Sequence, residues 1–337
     1  MKASITAIEY ALPAQVLDNA QLAREFPDWT AEKILAKTGI RERHVAGENE
    51  FASDLAVAAA NRLFDSGACD RDEIDYVLYC TQSPDYFLPS TACVIQNRLG
   101  LRADCGALDF NLGCSGFVYG LGMAKGLIET GQARRVLLLT ADTYSKFINP
   151  LDKSVRTLFG DAAAATLLCG GESESASLGP FVYGTDGAGA CNLIVPTGGL
   201  RKRRVADAAL VADESGNART ENDLFMNGPE IFNFTLRVVP ETVNQLLARS
   251  GLALADVDLF VFHQANKFML DHLRKKLGVP PERFWIAMDD VGNTVSCTIP
   301  IALQRALDAG KILPGTRLML LGFGVGYSWA GAMVRWS

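Results

Sequence analysis

An acidic lead-in followed by an unbroken β-branched and aromatic run occurs twice in this chain. It appears as Asp75-Tyr76-Val77-Leu78-Tyr79-Cys80 and again as Asp258-Leu259-Phe260-Val261-Phe262-His263. A second matched pair follows each in the same order. Gly126-Leu127-Ile128-Glu129-Thr130-Gly131 leads to Arg135-Val136-Leu137-Leu138-Leu139-Thr140, and Arg305-Ala306-Leu307-Asp308-Ala309-Gly310 leads to Arg317-Leu318-Met319-Leu320-Leu321-Gly322. In both, an amphipathic helix ending at glycine feeds a fully apolar strand. Strands without polar alternation belong to sheets covered on both faces, and helix–strand alternation makes those sheets largely parallel. Two matched pairs in one order imply a duplicated α/β fold. A chain of 337 residues exceeds what one core accommodates. The halves are therefore expected at 1–172 and 173–337.

The net charge of −6 argues against a protein that coats nucleic acid. None of the eight cysteines forms a Cys-x-x-Cys pair, which removes a zinc ribbon and a thioredoxin-like site. No metal and no resident cofactor are expected. Met1-Lys2-Ala3-Ser4-Ile5-Thr6 is no signal peptide, because charge and small residues interrupt the apolar run. A cytoplasmic, reduced protein is expected, with most cysteines serving as small buried hydrophobes. The uncharged stretch Leu318 to Val334 approaches membrane-span length, but its glycines predict two strands around a turn and no membrane segment.

Cys114 stands between the apolar strand ending at Phe110 and a glycine-rich helix predicted from Ser115 to Ile128. Near a helix N-terminus the unpaired N–H groups and the dipole favour thiolate, so a pre-ionised nucleophile is expected there. The same N–H groups can hold an oxyanion. A buried structural cysteine is the alternative use. Of three histidines, His44 follows the charged, exposed-looking Arg41-Glu42-Arg43, and His272 neighbours Arg274-Lys275-Lys276 on a helix. His263 ends the apolar run from Leu259, and α/β active sites gather at the C-terminal ends of parallel strands. Asn293 reads as a turn asparagine or, beside Cys114 and His263, as a hydrogen-bond donor. Gly322-Phe323-Gly324-Val325-Gly326 leaves too little chain for a nucleotide-binding unit, so it is read as a turn bringing N–H groups to a reacting carbonyl. The polar stretch from Gly198 to Asn222 is expected to be a surface flap.

At these residues the chain resembles the 3-oxoacyl-ACP synthase III family of condensing enzymes. The resemblance runs through Thr38-Gly39-Ile40-Arg41-Glu42-Arg43, Leu88-Pro89-Ser90-Thr91-Ala92-Cys93, Gly113-Cys114-Ser115-Gly116, Phe159-Gly160-Asp161, Phe225-Met226-Asn227-Gly228, His263-Gln264-Ala265-Asn266 and Gly292-Asn293-Thr294. It implies a thiolase-like duplicated α-β-α-β-α layered fold with mixed, largely parallel sheets, the N-terminal half carrying the cysteine and the C-terminal half the histidine and asparagine. It implies that Cys114 takes an acyl group from acyl-CoA or acyl-ACP. His263 and Asn293 would stabilise the enolate formed as malonyl-ACP loses carbon dioxide, and the backbone N–H groups of Cys114 and Val325 would form the oxyanion hole.

Further roles carried by the resemblance are substrate binding by Lys33, Lys37, Lys153, Leu88, Phe225, Asn266 and Phe323, with Leu88 reaching across the interface of a homodimer. Acyl carrier protein would dock on the basic helix through Lys267, Arg274, Lys275 and Lys276. CoA, or the phosphopantetheine of the carrier protein, enters as substrate carrier. This chain departs from the family in having Lys33 where many members sandwich the CoA adenine with tryptophan, Lys37 and Lys153 at arginine positions, Phe268 at a basic one and Val325 at a glycine. These changes suggest a specialised relative. A thiolase would need a second cysteine at Val325, and an HMG-CoA synthase a glutamate near Gln82. The alternative is a synthase III-like acyltransferase forming an ester or amide. A cysteine hydrolase and a carrier-binding module without catalysis are the readings from other classes.

Overall fold

The computed structural model describes residues 1–172 and 177–337. The expected boundary between halves borders residues 173–176, which lie outside the described residues. The first sheet contains β1 (Lys2–Ala11), β2 (Tyr76–Cys80), β3 (Gly106–Phe110), β4 (Arg135–Asp142) and β5 (Ala162–Gly171) in the order β1-β5-β4-β2-β3. The second contains β6 (Ser177–Thr185), β7 (Leu259–Phe262), β8 (Arg317–Gly324) and β9 (Ser328–Arg335) in the order β6-β9-β8-β7. The two orders correspond strand for strand. β4 pairs parallel with β2 as β8 does with β7. A parallel bridge from Phe260 to Phe284 stands where β3 stands in the first sheet.

The repeated acidic lead-ins make the same bonds in both halves. Asp75 N–H donates to Arg135 O at 3.0 Å and Asp258 N–H to Arg317 O at 2.9 Å. In return the Asp75 carboxylate accepts from Arg135 N, and that of Asp258 from Arg317 N. Each aspartate thus locks the start of one parallel strand to its neighbour.

Among the helices are α1 (Ala31–Thr38), α2 (Ala52–Asp65), α3 (Gly116–Glu129), α4 (Gly228–Ser250), α5 (Lys267–Leu277) and α6 (Thr298–Asp308). Strand alternation distributes side chains between layers. Val136 and Leu138 of β4, with Leu318 and Leu320 of β8, face a central layer built by Phe117, Leu121 and Ile128 of α3 and Ile299 and Leu303 of α6. Leu137 and Leu139 face α2 on one outer side. Met319 and Leu321 face α4 and α5 on the other. Five layers result, α-β-α-β-α, with both sheets covered. Because α3 lies between two sheets, it is apolar nearly all round.

The stretch from Leu318 to Val334 forms most of the antiparallel pair β8–β9. No helix among the described residues is long and apolar enough to cross a membrane. The flap from Gly198 to Asn222 carries a small hairpin, Val211–Ala212 with Ala218–Arg219, tied down by Arg219 bonding the buried Asp152 at 2.8 Å. The expectation of an exposed 41–43 stretch fails at Arg43, which is fully buried. Its Nη1 donates to Leu17 O and Asn19 Oδ1 and its Nη2 to Thr157 O, while its buried Nε finds no partner. His44 is half-buried, its Nδ1 2.6 Å from Pro13 O.

Candidate active site

The nucleophile candidate lies in the short connection between β3 and α3. Cys114 is 5% exposed, and its own N–H and that of Val325 bond toward its sulfur. Val325 follows directly on β8, so the pair of donors is assembled from opposite halves of the chain. Glycine is required at Gly324, where a Cβ would stand 2.8 Å from the Cys114 Sγ. Ser115 does not cap α3 with its side chain but meets the Ser328 hydroxyl at 2.7 Å, a second link between halves.

His263 follows β7 and is held to β8 by its N–H donating to Leu321 O at 2.8 Å. Its ring stands edge-on to Phe323 with centroids 5.6 Å apart. Its Nδ1 lies 2.7 Å from the Thr298 hydroxyl at the start of α6. Asn293 is laced to the 158–160 segment by Asn293 N–H to Leu158 O and Gly160 N–H to Asn293 O. Its side-chain Oδ1 accepts from Val295 N–H at 3.0 Å, which leaves the Nδ2 amide as the group available to a ligand.

Cys114, His263, Asn293 and Phe323 line one cavity of about 80 Å³. Leu158, Met226, Gly228 and Asn266 belong both to that cavity and to an outer groove of about 630 Å³, so the two adjoin. Burial pushes the Cys114 thiol up to about 12, and the Asp142 carboxyl adds to the rise, against the two N–H groups. Burial likewise pushes His263 down to about 3. The resting pair is a neutral thiol and a neutral imidazole. Among the described residues, no three His, Cys, Asp or Glu side chains group as a metal site.

A neutral thiol, a neutral imidazole, an outward-facing amide and two convergent N–H groups in a cavity that adjoins a groove suit acyl transfer from a long, thin thioester. Comparison with known proteins bears on which kind. Residues 108–187 match the family described as 3-oxoacyl-[acyl-carrier-protein (ACP)] synthase III, and residues 247–336 match its C-terminal part. The beta-ketoacyl-[acyl-carrier-protein] synthase III 3 of Streptomyces coelicolor is 39% identical over 98% of this chain and 96% of its own. The chain belongs to the synthase III family. A 3-oxoacyl-(acyl-carrier-protein) synthase III crystal structure superposes with a TM-score of 0.98 at 56% identity, covering 100% of both chains. The 3-oxoacyl-(acyl-carrier protein) synthase of Burkholderia xenovorans LB400 superposes at 0.92 with 39% identity, covering 100% of this chain and 95% of that one.

Within this synthase III scaffold the expected site residues separate into groups. Cys114, His263, Asn293, Phe323 and Asn266 line the inner cavity. Lys37, Lys153 and Phe225 line the outer groove with Asn266. Lys33 stands apart from these. It is absent from the groove wall, because its Nζ bonds Asp28 O and lies 5.4 Å from the centroid of the Trp29 ring. The groove's tryptophan is Trp29, with the Lys37 Nζ 4.8 Å from its centroid.

Leu88 does not line the cavity of its own chain and is 82% exposed. On α5, Lys267, Lys275 and Lys276 are exposed and Arg274 is half-buried. Lys267 pairs with Asp271 at 2.5 Å, Arg274 donates to Val279 O, and Lys276 donates to Leu236 O. Lys275 lines a shallow groove beside the exposed Phe268. Burial also works against the pre-ionised thiolate expected at Cys114. The sulfur precedes the first helical residue, Gly116, and is dry, so desolvation outweighs the N–H groups.

Proposed function

We propose that this enzyme of the synthase III type performs decarboxylative Claisen condensation of an acyl thioester with malonyl-ACP, giving 3-oxoacyl-ACP through an acyl-Cys114 intermediate. The observation that carries the reading is the meeting of Cys114, His263 and Asn293 in one buried cavity. In the first half-reaction the Cys114 sulfur attacks the thioester, and the N–H groups of Cys114 and Val325 hold the oxyanion. In the second, loss of carbon dioxide from the malonyl group places charge on a thioester oxygen. The Asn293 amide and the His263 imidazole, both buried, hold that charge, and the carbanion attacks the acyl-cysteine.

The outer groove, with Trp29, Lys37, Lys153 and Asn266, suits the phosphopantetheine arm of CoA or of acyl carrier protein. Lys275 and the neighbouring basic residues of α5 are the carrier-docking candidates, and Leu88 is proposed to complete the site of a partner in a homodimer. Eight free thiols fit a reducing cytoplasm. Asn293 is what distinguishes this reading from an ester- or amide-forming acyltransferase, which has no enolate to hold.

The test is paired. Asn293→Ala should still form acyl-Cys114 by intact mass, while carbon dioxide release from labelled malonyl-ACP falls on the order of a hundredfold or more. Cys114→Ala should form no acyl-enzyme. Decarboxylation by Asn293→Ala at the undiminished rate would move the acyltransferase ahead.

A further inference from the structure

One residue serves both of the polar side chains beside Cys114. Val295 is the one non-glycine residue with positive φ among the described residues, at 55°. A β-branched side chain in the left-handed region is an outlier that the surroundings must hold in place. Its N–H donates to Asn293 Oδ1 at 3.0 Å. Its carbonyl accepts from the Thr298 hydroxyl at 3.1 Å, and that hydroxyl lies 2.7 Å from His263 Nδ1.

Counting protons decides the direction of this chain. A threonine hydroxyl carries one hydrogen. If His263 Nδ1 were bare, Val295 O and Nδ1 would be two acceptors competing for that single hydrogen. With Nδ1 protonated, each contact has its own donor: Nδ1–H to Thr298 Oγ1, and Thr298 Oγ1–H to Val295 O. All three groups are buried, where an unmatched acceptor is costly.

Building on the proposed acyl transfer, we infer that Thr298, anchored on the Val295 carbonyl, is a positioning residue that holds His263 as its Nδ1–H tautomer and turns the Nε2 lone pair to the Cys114 cavity as proton acceptor. The neutral resting pair then has a defined use. As the Cys114 sulfur bonds to the thioester carbon, its proton passes to Nε2. The oxyanion collapses, the bond from carbon to the carrier's sulfur breaks, and that sulfur takes the proton from Nε2 as it leaves. His263 ends neutral and Nδ1-protonated, as it began. When the carrier has left, ring-proton exchange with water gives the Nε2–H form needed at the enolate, and the same hydroxyl turns to Nδ1 to support it. Threonine and serine can serve both senses, and valine neither.

The experiment reads the imidazole directly. With histidine labelled by nitrogen-15, three side chains report, and His263→Gln assigns the resonance. The free enzyme should show the neutral Nδ1–H pattern at His263. Thr298→Val should shift it toward Nε2–H and slow acylation of Cys114 about a hundredfold, while Thr298→Ser should preserve both. An Nε2–H pattern in the unaltered enzyme, or unchanged acylation in Thr298→Val, overturns the inference. The resonance of the unaltered enzyme decides it even if Thr298→Val fails to fold. An unaltered enzyme that acylates no Cys114 defeats the proposed function instead and leaves the tautomer readout standing.

Discussion

A dry thiol beside the Asp142 carboxyl gains too little from two backbone N–H groups to ionise before substrate arrives. With the folded value near 12, the protonated form prevails through the neutral range, and reactivity should climb with each rise in pH. Peptide-mapped alkylation with iodoacetamide should therefore find Cys114 slow near about pH 7, still rising at about pH 9 without a plateau. The exposed Cys93 and Cys191 should label first. An early plateau for Cys114 would restore the pre-ionised thiolate. Gly324 offers a second single-residue test. A methyl group there would press on the Cys114 sulfur and Cβ at 2.8 and 2.9 Å. Gly324→Ala should slow acyl-enzyme formation more than it lowers the melting temperature, read by intact mass and by calorimetry.

At the level of elements, the matching ends of β3 and β7 deliver Cys114 and His263, and the loop before α6 delivers Asn293. The strands were legible because their apolar runs are continuous, and α3 and α6 because their apolar patterns and the glycines after them are local. The wall beside the sulfur was not legible. Tyr144 shares an apolar cluster with Cys114, Phe159, Leu193 and Leu224, and its hydroxyl donates to Gln82 Oε1 at 2.5 Å. Its ring thus packs in the apolar cluster beside the sulfur. Tyr144→Leu should extend the range of accepted acyl lengths, measured as intact-mass acylation with straight-chain donors of increasing length. An unchanged profile would place the acyl chain elsewhere.

Across the whole molecule, Tyr86, Phe87 and Leu88 are 61%, 78% and 82% exposed in consecutive positions. Three large apolar side chains together in water favour a partner surface. The protein should sediment as a dimer at micromolar concentration, and Phe87→Ser with Leu88→Ser should shift it toward monomer and lower activity together. The duplicated fold and its two sheets could be read from sequence alone, because apolar periodicity, glycine stops and the matched Asp75 and Asp258 runs are local signals, while the role of Asn293 came only with the family resemblance. Tertiary structure alone decided the buried state of Arg43, the place of Trp29 in the groove, the neutral thiol of Cys114 and the Val295–Thr298 chain behind His263. Ionisation and hydrogen-bond direction depend on which groups lie across a gap and whether water reaches them. Those neighbours come from segments far apart in the chain, and no spacing in the sequence encodes their distance.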